Sequence, residues 1–314
     1  SDFLELLEVT PEIIACDLHP DYNSRELAQT MDAGGENIVT VQHHHAHIAS
    51  CMAENGVTDK VIGVALDGTG YGTDGTIWGG EFLAADLKEA QRAGHFGTIA
   101  LPGGDTAVKF PVRIALSMLH NSGYDIMTIE DVIPPEAISM EERQVILQMI
   151  ENGINSPQTS SAGRLFDGVA AILGLCQSVT YEGQAAIRLQ NIADREASGC
   201  YRYDIINNVL DFAPAVSDIV SDLTQGTDKS DIAGKFHNTI ATGVVEMCCL
   251  LSKELNITTV ALSGGVFQNE TISGHIRNLL EINGFTVLLH KHVPPNDGCI
   301  SLGQAAVASS RFES

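Results

Sequence analysis

"GVALDGTG", residues 63–70, is a run of apolar residues that ends in an aspartate and a glycine loop, and "TVALSGGV", residues 259–266, has the same design in the other half of the chain. Each reads as a buried strand passing into a glycine turn. Backbone N–H groups in such a loop, or at the start of a helix after it, can cradle phosphate. The first loop offers Gly68, Thr69 and Gly70; the second offers Gly264 and Gly265. A single glycine after a strand usually does no more than turn the chain. One such unit in each half suggests a nucleotide clamped between two similar lobes. Neither unit is a Walker loop, because no G-x-x-x-x-G-K-S/T occurs, and neither has the G-x-G-x-x-G pattern and acid of a dinucleotide site.

Outward from these units, strand-like and helix-like stretches alternate, which predicts an α/β protein. "GYGTDGTIWGGEFLAADL" carries Asp74–Gly75 between strand-like runs, a hairpin signal. The turn formers of "NGINSPQTSSAG" (152–163) mark a hinge, so the expected lobes are 1–155 and 156–314, with a last helix from about 300 able to return to the first.

Just upstream of the first unit, "VQHHHAHIASCMAENG" (41–56) holds four histidines in five positions at the start of an expected helix. His43 and His47 are one turn apart on one face, and His44 and His45 point elsewhere. Two imidazoles so placed can bind one divalent ion; the plainer alternative is a polar helix start with exposed rings. A metalloprotease would need Glu where this chain has His44. Further ligands would come from Asp67 and Asp297, each at the end of a strand or turn facing the crevice of an α/β sheet. A set of two imidazoles and two carboxylates suits zinc, iron or another first-row ion. Lys109 and Arg113, in "AVKFPVRIAL", are candidates to neutralise phosphate, against the simpler reading of a solvated helix start.

Forty acids against 17 bases give a formal charge of −23, which repels nucleic acid and argues against a basic binding stripe. No apolar run is long enough to span a membrane, and the first residues lack a secretory pattern. The seven cysteines (16, 51, 176, 200, 248, 249 and 299) include no C-x-x-C pair, so a reducing cytoplasm is the expected setting.

"VQHHHAHIASCMAENG", "VALDGTGYGTDGTIWGGE", "SAGRLFDGVAAILGL", "YEGQAA", "ALSGGVFQNE" and "NDGCISLGQAA" together resemble the C-terminal part of the hydrogenase-maturation carbamoyltransferases of HypF type, within the wider Kae1-like superfamily. The resemblance runs over essentially the whole chain. It implies an actin/Hsp70-like (ASKHA) fold, with two ribonuclease-H-like lobes around a nucleotide and metal cleft. His43, His47 and Asp297 match the superfamily's metal ligands, and Asp67 matches an aspartate added in the carbamoyltransferase branch. Asp167 falls where the nucleotide ribose is held, Gly183 near a nucleotide-contacting glycine, and Gly264, Gly265 and Asn269 on the loop around the adenosine. Leu66-Asp67-Gly68-Thr69-Gly70 replaces the serine-glycine-glycine turn of the threonylcarbamoyl enzymes, which favours the carbamoyltransferase branch.

The implied reaction passes a carbamoyl group from carbamoyl adenylate, made from carbamoyl phosphate and ATP, to the C-terminal cysteine of a HypE-like acceptor, for the cyanide ligands of [NiFe] hydrogenase. Family members carry acylphosphatase-like and YrdC-like domains before this one. None fits into this chain, so the resemblance implies those domains in cis or in trans. A small-molecule O-carbamoyltransferase is the alternative that shares nearly every motif. A tRNA-modifying enzyme and an Hsp70-like nucleotide-gated module fit less well, given the charge and the histidine pair respectively.

Overall fold

A computed structural model describes residues 10–32, 35 and 37–312, together with residues 4, 6 and 8. Its strands are β1 (Ile14–Asp17), β2 (Ile38–Val41), β3 (Val61–Tyr71), β4 (Ile77–Ala85), β5 (Ala90–Phe96), β6 (Ile99–Ala100), β7 (Gln158–Thr159), β8 (Asp204–Ile206), β9 (Val209–Asp211), β10 (Thr259–Ser263) and β11 (Thr286–Leu288). β1 and β2 make a parallel pair. The other nine strands form one sheet, with the path β11-β10-β3-β4-β5-β9-β8 and β6 and β7 joined beside β4.

The apolar run of β3 is the centre of this sheet. Val61 to Leu66 are all buried without a polar break, as a strand covered on both faces requires. One face packs on the main core, which includes Phe166, Phe236, Ile240 and Ile272. These come from the helices Ala162–Ile172, Lys229–Leu255 and Glu270–Ile282. The other face receives the helix His43–Glu54, whose Ile48, Cys51 and Met52 pack with Val61, Ala65, Trp78 and Leu83. Behind that helix lie β1, β2 and the last helix, Ile300–Phe312, around Val41, Ala46, Ala49 and Val307.

This arrangement corrects two expectations about the lobes. The two strand-glycine units do not sit in separate lobes: β10 pairs in parallel with β3, placing Leu262 beside Val64 and Ser263 beside Ala65. Parallel neighbours must end on the same side, so both loops open at the same edge. A division at 155/156 would cut this sheet, because β3, β4 and β5 lie before it and β9 and β10 after it. The expected hinge is also tied down. Thr159, Ser160 and Ser161 are buried, and Ser161 Oγ donates to Gly68 O at 2.5 Å and lies 3.1 Å from Asp67 O. Turn-forming hydroxyls here satisfy buried carbonyls instead of freeing the chain.

The first unit also differs from a simple strand-to-turn. β3 runs on to Tyr71 and pairs antiparallel with β4, as the Asp74–Gly75 hairpin predicts, but its register shifts between Leu66 and Gly70. The bulge leaves Asp67, Gly68 and Thr69 out of the ladder with β4 and turns them toward the cleft. The second unit goes instead into a short 3-10 turn, Gly265–Gln268, and then a helix.

One glycine sets the height of the histidine helix. A Cβ on Gly303 would lie 1.8 Å from Ala46 O, so the last helix touches the backbone between His45 and His47. Gly303→Ala is expected to destabilise the fold by about 1–3 kcal/mol through overpacking. A lowered urea midpoint would show this; an unchanged midpoint would mean that the two helices separate freely.

Candidate metal and nucleotide site

The site begins at the first turn of the helix His43–Glu54. Gln42 caps it, its side chain accepting from His45 N at 3.0 Å. All four histidines are buried, not exposed as the plainer reading would have it. They divide as the helical spacing predicts. His45 Nε2 is bound to Asp86 O at 2.7 Å, away from the cleft. His44 packs over Gly70, where a Cβ would come within 2.3 Å of its ring, and near Trp78. Burial pulls the pKa of both below the ordinary histidine value.

His43 and His47 converge instead on two carboxylates. Each Nε2 lies 3.3 Å from Asp67 Oδ2 and 3.5 Å from Asp297 Oδ1. One ligand atom from each of these four residues lies within 4.8 Å of all the others. Bonds of about 2.0–2.1 Å to a tetrahedral ion put ligand atoms about 3.3–3.4 Å apart, close to these separations. His47 Nε2 is fully buried and makes no hydrogen bond of good geometry, so a ring nitrogen aimed at a shared point is left without a partner. The residues therefore fit a divalent ion.

Electrostatics agree. Burial works against charge on both rings, but the carboxylates around them outweigh it. His43 is raised well above its ordinary value by Asp17, Asp297 and Asp67, and His47 is raised to about 10 by Asp297, Asp67 and Cys299. Burial would raise Asp67, yet His43 and His47 hold it well below the usual carboxylate range. His43 and His47 also draw Asp297 down, against a smaller effect of burial. Without a metal the site is thus a cluster of imidazolium and carboxylate groups.

Two neighbours of these four residues, Asp17 and Cys299, are not among those to which the sequence points. Asp17 Oδ2 lies 3.2 Å from His43 Nδ1. Its position at the end of β1 is the signal that singled out Asp67 and Asp297. Gly265 N donates to Asp67 Oδ1 at 3.0 Å, so the second glycine unit holds the aspartate of the first. Cys299 Sγ lies 3.3 Å from His47 Nδ1. Burial pushes that thiol up, but His290 and His47 outweigh it and bring its pKa to about 6.

From these four residues a cleft of about 610 Å³ extends between the bulge, the helix Ala162–Ile172 and the loop at Gly265. Its size suits a small organic ligand. Asp67, Gly68, Thr69, Asp167, Gly183, Gly265, Asn269 and Asp297 all line it, with Phe166, Ala186, Ile187 and Val266 as an apolar wall. Asn269 is largely engaged in capping: its Oδ1 accepts from Thr271 N and Ile272 N, and its Nδ2 lies 3.1 Å from His237 Nε2.

Four expected residues lie off this wall. Gly70 serves His44, as described. Gly264 has φ +105°, and a Cβ there would come within 2.3 Å of Leu66 O, so it serves the close approach of β3 and β10. Arg113 turns back to donate to Pro102 O at 3.1 Å, and Lys109 is exposed; neither lines the cleft.

The cation that does line it is Arg164. Its Nη2 pairs with Asp167 Oδ2 at 3.1 Å, both side chains being 5% exposed, and its Nε has no partner. The i,i+3 spacing in "RLFD" was the signal for it. Burial raises Asp167 above the usual carboxylate value, with Arg164 opposing.

Known proteins resemble this chain at both levels. Residues 63–304 match the family model "Carbamoyltransferase, Kae1-like Domain, second subdomain", and residues 1–54 match "HypF Kae1-like domain". Carbamoyltransferase HypF2 of Cupriavidus necator is 34% identical over 98% of this chain and 41% of its own length. Carbamoyltransferase HypF of Rhodobacter capsulatus is 37% identical over 100% of this chain and 41% of its own. A crystal structure of full-length HypF in a phosphate- and nucleotide-bound form superposes with a TM-score of 0.93 and 40% identity, covering 99% of this chain and 49% of that one. The chain thus spans less than half the length of these relatives.

Proposed function

Because the chain belongs to the HypF carbamoyltransferase family and corresponds to its Kae1-like domain, we propose that it transfers a carbamoyl group from carbamoyl adenylate to the C-terminal cysteine thiolate of a HypE-like acceptor. The adenylate would come from ATP and carbamoyl phosphate through YrdC-like and acylphosphatase-like domains, in cis or in trans, and the product would serve the cyanide ligands of [NiFe] hydrogenase. The observation that carries the reading is the four-ligand cluster at the end of a cleft large enough for a nucleotide. No described helix is long and apolar enough to cross a membrane; a cytoplasmic setting is part of the proposal.

His43, His47, Asp67 and Asp297 would hold the divalent ion, zinc or iron. When bound, it supplies Lewis acidity toward a carbamoyl or phosphate oxygen. The protein does the rest by positioning. Phe166, Ala186, Ile187 and Val266 offer the adenine an apolar wall, while Gly68 and Gly265 let phosphate come close to backbone. The acceptor brings the nucleophile, so none of this chain's own cysteines needs to act as one.

Charge decides where phosphate can sit. The described cleft wall carries four carboxylates, on Asp67, Asp167, Glu182 and Asp297, and one cation, Arg164. A phosphate is repelled everywhere except near that guanidinium and the ion. A Cβ on Gly68 would lie 3.7 Å from Arg164 Nη2, so the guanidinium borders the loop that carries Asp67. Arg164→Ala is expected to weaken AMP binding by about 10–100-fold, the worth of roughly 1.5–3 kcal/mol for hydrogen bonds to a charged group, and to spare adenosine. Calorimetry with both ligands tests it; equal losses for AMP and adenosine would remove the phosphate role.

The reaction is tested by mixing the chain with carbamoyl adenylate and a cysteine-tailed acceptor and weighing the acceptor by mass spectrometry. The expected result is a carbamoyl adduct on the terminal cysteine. No adduct there, with product on a small hydroxyl acceptor instead, would make the chain an O-carbamoyltransferase.

A further inference from the structure

The helix that supplies His43 and His47 also supplies Glu54 in its last turn. That carboxylate is held from outside, Oε1 accepting from Lys291 N at 2.9 Å and Oε2 from His292 N at 3.0 Å. Oε1 also lies 2.9 Å from His290 Nδ1, in a contact between side chains only 5% and 4% exposed. The row continues inward: His290 Nε2 is 2.8 Å from Ser263 Oγ, and Ser263 Oγ is 3.2 Å from His47 Nδ1.

Protons can be placed along this row in one direction. The 2.9 Å contact with Glu54 is too bent for a hydrogen bond, but a bare Nδ1 lone pair would face the carboxylate there, so charge alone keeps the His290 proton on Nδ1 and a lone pair on Nε2. Ser263 then donates its O–H to that lone pair; its other hydroxyl contact, to Pro295 O, is longer at 3.4 Å. Ser263 Oγ is left to accept from His47 Nδ1–H, and Cys299 Sγ, 3.3 Å from the same nitrogen, is a second acceptor for it. With its proton there, His47 can give up the Nε2 proton that faces Asp67 and Asp297 and offer that lone pair to an ion bound between them.

We propose that Glu54, His290 and Ser263 are positioning residues that fix His47 in its Nδ1–H tautomer and thereby set the affinity of the four-ligand site for a divalent ion. His43 is treated differently, with Asp17 directly on its Nδ1. The difference has a physical reason. Asp17, Asp67 and Asp297 already gather around the two rings, and another carboxylate touching His47 would add a buried charge that must be desolvated. Ser263 and Cys299 Sγ orient the ring, and the carboxylate that bears on the serine sits two side chains away, held by backbone N–H groups. The relay also joins the helix of His43 and His47 to the end of β10 and to the chain after β11, which leads on to Asp297.

The inference rests on the metal reading of the site, and the experiment separates the two. Ser263→Ala and Glu54→Gln are compared with the unaltered chain for Zn²⁺ affinity by chelator competition and for AMP affinity without metal. Each variant is expected to lose about 10–100-fold in Zn²⁺ affinity, the usual effect of removing a partner behind a ligand, with AMP affinity held within about twofold. Nitrogen NMR of labelled histidines adds a signature that a purely structural role would not move. The unaltered Zn²⁺-loaded chain should show His47 and His290 protonated on Nδ1, and Glu54→Gln should shift the His290 proton to Nε2. Unchanged Zn²⁺ affinity in both variants, an unmoved His290 proton, or a parallel loss of AMP affinity would overturn the relay. Failure of the unaltered chain to bind Zn²⁺ would overturn the metal reading and the relay with it.

Discussion

His47→Ala, and equally His43→Ala, should leave the purified chain without stoichiometric divalent metal, while His44→Ala keeps it. The Zn²⁺ of small structural sites is bound with about 10–16 kcal/mol, or roughly 2.5–4 kcal/mol for each of four ligands, so losing one ligand weakens binding by roughly 10²- to 10³-fold. Each alanine also leaves Asp67 with one imidazole fewer in a buried place, a further cost in the metal-free protein. His44→Ala does something else. Its ring fills the space between Gly70 and Trp78, so its removal opens a cavity and should cost about 2–4 kcal/mol of stability at full metal content. Elemental analysis and urea unfolding of the three variants separate these outcomes. Metal lost from His44→Ala but kept in His47→Ala would mean that the four ligands are not those seen to converge.

The convergence of His43 and His47 was legible because helical spacing is local. Residues four apart share a face wherever the helix goes, so His43 and His47 could be paired, and His44 and His45 set aside, before any packing was known. Asp67 and Asp297 were legible through their position at the end of a strand or turn. The relation between the two glycine units was not. "GVALDGTG" and "TVALSGGV" look alike because a buried parallel strand needs the same residues anywhere, and likeness does not say whether two strands share a sheet. Their pairing, β3 beside β10, is a long-range choice, and it brings both loops to one edge of one sheet. Lys109 and Arg113 were misleading for a similar reason: positive charge near a helix start says nothing about which way it faces. Arg164 carried only its i,i+3 spacing to Asp167, and its place on the cleft wall came from the bulge at Asp67–Thr69 that borders it.

Affinity for Zn²⁺ should keep rising with pH well beyond the ordinary histidine range. Free imidazoles near 6.5 would predict a plateau just above neutrality. In the metal-free cluster, however, His47 is raised to about 10 and His43 well above its usual value, so both rings are protonated at pH 7 and must release their protons to coordinate. Two displaced protons give a slope of up to about two logarithmic units of affinity per pH unit, a gain of up to roughly 10⁴ between pH 6.5 and 8.5. Chelator competition, corrected for the chelator's own protons, measures it; a curve already flat by about pH 7.5 would show that the carboxylates do not hold those protons. The stability of the metal-free chain should move the other way. Raised histidine pKa values stabilise the fold fully below the unfolded value of 6.5, and the contribution of His47 is lost as pH rises toward about 10. The depressed Asp67 and Asp297 stabilise it above their ordinary value of 3.8 and cease to as pH falls through their lowered values. Between 3.8 and 6.5 both contributions are complete, and above that window only the imidazole part declines. The rise in thermal midpoint on adding Zn²⁺ should therefore be small near pH 6 and grow steadily toward pH 9, since loading then replaces a weakening proton-held cluster with a strengthening metal-held one.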